Sequence, residues 1–480
     1  MERRSLKLTK MTEGNLFWNI ILFALPVMAT TAMQQLYVTI DLMTVHVGDS
    51  AESMGAIASN NALINLIIVV FVGISLGVNV IFSQAKGAGD KEKCEKVLHT
   101  SLIFAFLSGL LVGVVGFLIS DNLLEMMGTE AHYLEKATLY LRIYFCGLPF
   151  LMVYNYLSQL FRAQGDSNTP FIILAISGVI NVAFDFWFVF GFKASVAGVG
   201  FATIIAEAVS AVLGIILLWK KKNLYVNLSF KKLKMDMKSL QEIIIVGLPS
   251  GLQGFFFSLP NVFIQSSLYT IDPNNIALEN GAIASGSVEV YFFTVIDAIG
   301  TSVMTFVAAN LGAKNKENIK KVILYGSIWG IIACALVAII TLFLYKPLLR
   351  IFVDTDAEID SGRRRLWVMG FWYIFNFGMN MTASTLKGMR KTMFPMLTTL
   401  IFCTGVRILL IYTLFQLEQF HTLEWLYALF PITWVLAFVC NTVFLLIVTP
   451  KVFKKFDENL AKPAQISEMP EAKPAEETNI

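Results

Sequence analysis

Long apolar runs recur along this chain at near-regular intervals, separated by short segments that gather most of its lysines, arginines and acids. A helix that crosses the hydrocarbon of a bilayer needs about 20 mostly apolar residues. Stretches that satisfy this fall at 16–46, 54–83, 97–119, 134–161, 170–191 and 196–219. They return at 240–270, 280–310, 320–345, 365–387, 395–416 and 425–449. The pattern predicts an all-α membrane protein with twelve transmembrane helices. The first apolar run follows basic residues, as a signal peptide would. It continues past Ala32 with no small-residue cleavage site, so it reads as a retained first span.

Two loops repeat at one spacing. GAGDKEKCEKVL begins at Gly87 and GAKNKENIKKVI at Gly312, which lies 225 residues on. RAQGDSNTPF carries Pro170 and KGMRKTMFPM carries Pro395, again 225 apart. A duplicated six-helix unit explains both. Because six is even, the halves enter the membrane in the same sense, related by a pseudo-two-fold axis along its normal. The expected layout is a first lobe over 1–219, a linker over 220–239, a second lobe over 240–456 and a disordered tail over 457–480. The tail is rich in proline, glutamate and alanine, too polar to form a core.

Charge sets the expected orientation. Arg3, Arg4, Lys7 and Lys10 precede the first helix, and basic clusters follow the second, sixth, eighth, tenth and twelfth. The alternate loops are mostly acidic or neutral, so both termini are predicted to be cytoplasmic, in a cell membrane. One loop dissents, with Lys346, Arg350 and the run Arg363 to Arg365 on the predicted outside.

Composition narrows the function. Hydrophobic residues make up 56% and charged residues 15%, against about 25% charged in a soluble domain. The net charge of +3 and the lack of a basic tract interleaved with aromatics argue against a nucleic-acid partner. Five scattered cysteines and four unclustered histidines predict neither a disulfide framework nor a metal centre. The GAGDK turn follows no strand and lacks GK[ST], so it is not a phosphate loop. No nucleophile or acid–base set marks an interfacial enzyme, and no cofactor is expected.

Ionisable groups inside a span are costly, by about 2.5–3.5 kcal/mol on insertion scales. Here they are Asp41, Arg142, Asp185 and Glu207, then Glu289, Asp297 and Arg407. Tyr37 and Asp41 share a face of the first helix, and Asn181 and Asp185 share a face of the fifth. Pro26 should bend the first helix. If the two faces meet, with Thr203 adding a hydroxyl, two carboxylates share a low-dielectric site. They cannot both stay charged cheaply, so a proton or a hard cation such as sodium must balance them. Gln34, Tyr37, Gln253, Glu289 and Asp297 are candidate cavity residues. Arg142, Glu207 and Arg407 read as snorkelling or structural pairs.

These features resemble the multidrug and toxic compound extrusion (MATE) family. The resemblance rests on ALP at Pro26, QAKGAGDKEK, FRAQGDSNTP, INVAFD, AGVGFATIIAE and ANLGAKNKE, over roughly 15–450. It implies a V-shaped pair of six-helix bundles around a central cavity. It also implies export of small, often cationic organic compounds in exchange for H+ or Na+. The family's first-lobe cation site falls on Asp41, Asn181, Asp185 and Thr203. The acids that some relatives carry in the seventh and tenth helices are missing here. A flippase for lipid-linked sugars is the alternative, set against by the few basic residues within the helices. A single chain is taken as the working unit.

Overall fold

A computed structural model describes residues 9–272 and 275–461, and every regular element among them is helical. The first half holds α1 (Leu16–Gly48), α2 (Ala51–Gly87), α3 (Lys91–Met126), α4 (Ala131–Ala163), α5 (Asn168–Phe186) and α6 (Ser195–Lys220). The second begins with α7 (Met237–Ile271), α8 (Ile276–Gly312) and α9 (Lys316–Phe343), then the one-turn α10 (Tyr345–Leu349). It closes with α11 (Asp356–Gly370), α12 (Tyr373–Gly388), α13 (Met393–Thr398), α14 (Arg407–Tyr412) and α15 (Leu423–Ala461). A wide π-turn continues α5 over Trp187–Gly191, and another joins α13 to α14 over Thr399–Val406. Eleven of the resulting helices are long and apolar enough to cross a membrane unbroken. The tenth span is the exception: α11 ends before Phe371 and Trp372, and α12 restarts beyond them. Twelve spans therefore stand, with one discontinuous where a single helix over 365–387 was predicted. The expected tail lies outside the described residues from 462 onward, and α15 takes in residues 457–461.

The repeated loops have a common construction. Gly89 and Lys314, at the same place in the two copies, both take a left-handed backbone (φ +75° and 53°). The next residue caps a helix. Asp90 accepts from Lys93 N at 2.9 Å and Asn315 from Asn318 N at 3.0 Å. Gly165 and Arg390 form the second left-handed pair (φ +92° and 61°). Of these four positions only two are glycine, the residue that adopts that conformation without steric cost.

The halves exchange the starts of their first helices. Leu16, Ile20, Phe23, Ala24 and Val27 of α1 pack into a core built by α8, α9, α11, α12 and α15. Ile243 and Val246 of α7 pack into the core of α2, α3, α4 and α6. Further along, Val45 of α1 and Ile264 of α7 return to their own halves. Pro26 lies inside α1, which runs on through it without a break.

Small residues let these helices meet backbone to backbone. A Cβ on Gly73 would lie 2.0 Å from Gly251 Cα, and one on Gly77 2.3 Å from the Ile243 carbonyl oxygen. At the end carrying the basic loops, α2 crosses α8 reciprocally. A Cβ on Gly87 would fall 1.9 Å from Ala309 O, and one on Gly312 2.0 Å from Gln84 O. Each contact is the other displaced by the 225-residue repeat. The Gln84 amide also donates to Gly388 O at 3.0 Å, closing α12 onto the same crossing.

The dissenting basic loop is largely neutralised locally. Arg363 and Arg364 pair with Asp360, and Lys346 and Arg350 with Asp356. The segment between α6 and α7 lies against the first half. Leu224, Val226 and Leu228 are buried. Val226 N donates to Gln164 Oε1, Ser229 N to His99 Nε2 and Asp236 N to Thr100 Oγ1.

Gly87→Val and Gly312→Val should each force the α2–α8 crossing apart, at a cost of about 1–3 kcal/mol. The expected readout is a lower melting temperature, with faster maleimide labelling of Ser384→Cys from the side of the basic loops. Wild-type values for both quantities would refute this account of the crossing.

Candidate functional site

The strongest cluster of orphaned polar atoms lies between α1, α5 and α6. Tyr37 fastens α1 to α5, its hydroxyl donating to Leu174 O at 2.6 Å. Gly178 makes that approach available, because a Cβ there would overlap the phenol at 1.9 Å. One turn on, Asp41 is brought against α5, where Asn181 and Asp185 are both buried. Thr203 Oγ1 of α6 lies 3.3 Å from Asp41 Oδ2 and 2.9 Å from Val199 O, so its single proton serves one or the other. Asp185 and Asn181 also come within side-chain hydrogen-bonding reach of Asp41.

Donors are missing from this cluster. Asp41 Oδ1, Asn181 Oδ1 and both carboxylate oxygens of Asp185 are buried without a hydrogen-bond partner. One carboxylate facing another offers only lone pairs, and an isolated buried charge costs several kcal/mol. The set therefore fits a proton or a hard cation, which prefers oxygen ligands. Asp41 and Asp185 would hold the charge, with Asn181 and Thr203 supplying neutral oxygens.

A third acid joins them. Glu207 lies one turn beyond Thr203 on α6, with Asp41 as the acid that acts on it electrostatically. Gly147 of α4 leaves space for it: a Cβ there would sit 2.8 Å from Glu207 Oε2. No basic group pairs with it among the described residues, so it is not part of a structural ion pair. Its i to i+4 spacing from Thr203 was the available signal.

Between the halves lies a cavity of about 1080 Å³. Gln34, Gln253, Glu289 and Asp297 are in its wall. Tyr37 is not, because its ring is turned into the α1–α5 seam. Glu289 is held by Arg365 at 2.7 and 3.2 Å, and Arg365 also donates to Ala282 O and lies over the Tyr427 ring. This is a structural ion pair across α8 and α11. Asp297 accepts from Asn380 at 2.6 Å on the cavity side. Arg142 pairs with Asp121 at 2.6 Å. Arg407 does not snorkel: it is fully buried, donates to Thr433 at 2.7 Å and lies over Phe430.

Arg162 and Lys387 also reach the cavity wall. They stand at the ends of α4 and α12, where a linear reading assigns them to the basic loops. The helix ends tilt them inward instead. With Arg365, the cavity holds more basic character than the run of apolar residues suggests.

Two outcomes follow from this geometry. Glu289→Ala leaves Arg365 buried without its acid and should cost about 3–5 kcal/mol, seen as a large fall in melting temperature. Asp185→Asn places an amide donor beside Asp41. The variant should melt no lower than wild type, while its thermal response to added sodium or acid flattens. An unaltered response would show that the acids do not share an ion.

The model of the MatE family matches residues 26–187 and 239–413. The "Probable multidrug resistance protein YoeA" of Bacillus subtilis is 27% identical over 83% of this chain and 87% of its own length. The "Probable multidrug resistance protein NorM" of Thermotoga maritima is 25% identical over 80% of this chain and 82% of its own. A solved MOP superfamily transporter from Pyrococcus furiosus superposes with a TM-score of 0.85 at 21% identity, covering 94% of this chain and 99% of that one. The duplicated bundles, the central cavity and the family match over both halves agree, and the chain belongs to the MatE family of multidrug and toxic compound extrusion transporters.

Proposed function

We propose that this MATE-family efflux transporter is an antiporter that exchanges H+ or Na+ for small, often cationic organic compounds. The ion binds at Asp41, Asn181, Asp185 and Thr203, and the compound binds in the central cavity. The observation that carries this reading is the pair of buried acids, three of whose four carboxylate oxygens find no donor. Such a pair is stable only while an ion accompanies it, so ion binding and the packing of α1 against α5 and α6 are linked. A ligand shifts a conformational equilibrium only through its different affinity for the two states. The ion gains that difference when the cluster opens or closes around it.

The positive-inside rule puts the basic loops and both termini in the cytoplasm. The cavity wall then extends outward to Ala58, Leu268 and Glu279, near the outer ends of α2, α7 and α8. On the cytoplasmic side it stops short of the Gly87–Gly312 crossing. This is the arrangement of an outward-facing state, from which cargo leaves and the ion enters. Alternating access is the rocking of one half against the other about that crossing. One chain contains both halves and the whole site.

Asp41→Asn and Asp185→Asn should each reduce dye efflux by at least about tenfold at unchanged membrane expression. Undiminished efflux in both would remove this ion site. Efflux driven by a sodium gradient with no imposed pH gradient identifies sodium as the coupling ion, and the converse identifies protons.

A further inference from the structure

The floor of the central cavity, at the end carrying the basic loops, is built differently from its walls. Arg162 comes from the end of α4 and Lys387 from the end of α12, and both line the cavity. They are the same position in the two copies of the repeat, 225 residues apart. Asn155 and Asn380 line the cavity at that same spacing, as do Gln159 and Ser384. The pseudo-two-fold axis thus places matched polar groups on opposite sides of the floor, with a cation at the base of each column.

Arg162 is not satisfied by the protein, and Lys387 is satisfied only in part. Arg162 is only 8% exposed, and its Nε has no partner. The nearby Tyr154 hydroxyl is committed to Pro170 O at 3.1 Å, so it relieves nothing. No carboxylate pairs with either side chain among the described residues. Asp297 accepts from Asn380 and keeps its charge, so it partly offsets Lys387 without forming an ion pair with it. The neighbouring acid Asp166 is taken by Lys221 at 2.5 Å. Lys86, behind the floor, adds positive charge, its ammonium donating to Gln164 O. By contrast, Arg365 higher in the wall is neutralised by Glu289. A buried guanidinium without an acid is costly unless something else supplies the negative charge.

We propose that Arg162 and Lys387 form an anion-recognition site for the cargo, binding a carboxylate or phosphate group of a soluble compound between the two halves. Arg supplies a planar fork for two acceptor oxygens and Lys a compact ammonium, both suited to such groups. The rest of the compound lies against Phe257, Phe293 and Phe430 in the same wall. The cargo class then includes zwitterions and organic anions as well as cations. This deepens the transport reading above and rests on the cavity being the cargo site.

The test uses the full chain in nanodiscs and a matched pair of fluorescent dyes. One is a rhodamine zwitterion with a free carboxylate, and the other is its methyl ester, a cation. Arg162→Gln and Lys387→Gln should each weaken binding of the carboxylate dye by about tenfold and leave the ester within about twofold. Arg162→Lys should recover part of the loss, which separates lost charge from a misfolded floor. Phenyl phosphate should compete with the carboxylate dye and not with the ester. Equal losses for both dyes, no loss for the carboxylate dye, or no binding of that dye to wild type would overturn the proposal. Stronger competition by a short-chain phosphatidic acid than by phenyl phosphate would overturn the assignment to soluble cargo. Asp41→Asn should bind both dyes normally while failing to transport them, so failure of the ion site is distinguishable from failure of this one.

Discussion

Everything in this molecule hangs on the close passage of helix backbones between its halves. Where α2 meets α7 and α8, glycines replace side chains, and carbonyls from one helix rest on Cα atoms of the other. In a bilayer there is no hydrophobic gain from joining two apolar helices, so such contact is what binds them. The exchange of helix starts, with α1 entering the second core and α7 the first, makes each half incomplete alone. The cavity is the space left on one side of these crossings.

The duplication has kept the scaffold and lost the symmetry of the chemistry. At the 225-residue spacing, Asp41, Asn181, Asp185 and Thr203 are matched by Ser266, Val406, Leu410 and Ala428. Only the first half places two acids at these positions. Asp297 has Val72 as its counterpart, so the second half keeps an acid of its own in the cavity wall. The floor retained its basic character on both sides, as Arg162 and Lys387. In the proposed mechanism two jobs are thus separated in space, an ion seat within one half and a cargo seat between the two.

Much of this was legible along the chain because hydrocarbon imposes one rule at every depth. Apolar runs of sufficient length had to be spans, and two loops at one offset had to be a repeat. Acids such as Asp41 and Asp185 stood out because they break the apolar rule at helical spacing from polar partners. Glu207 broke it too, yet its value depends on the missing side chain at Gly147, a contact between helices that no one-dimensional spacing records. The break at Phe371 carries no proline to announce it. Arg162 and Lys387 were hidden for another reason. Residues at helix ends look the same in sequence whether they point to water outside or to a cavity within.

The strand of chain joining α6 to α7 is fastened to the first half through Gln164, His99 and Thr100. It therefore cannot act as a slack tether in the proposed rocking. It is carried by the first half right up to Asp236, and the start of α7 that follows, at Ile243 and Val246, packs into that same half. Any rocking of the proposed kind must therefore be absorbed beyond the connector, within α7 itself, where Pro249 and Pro260 interrupt the backbone ladder.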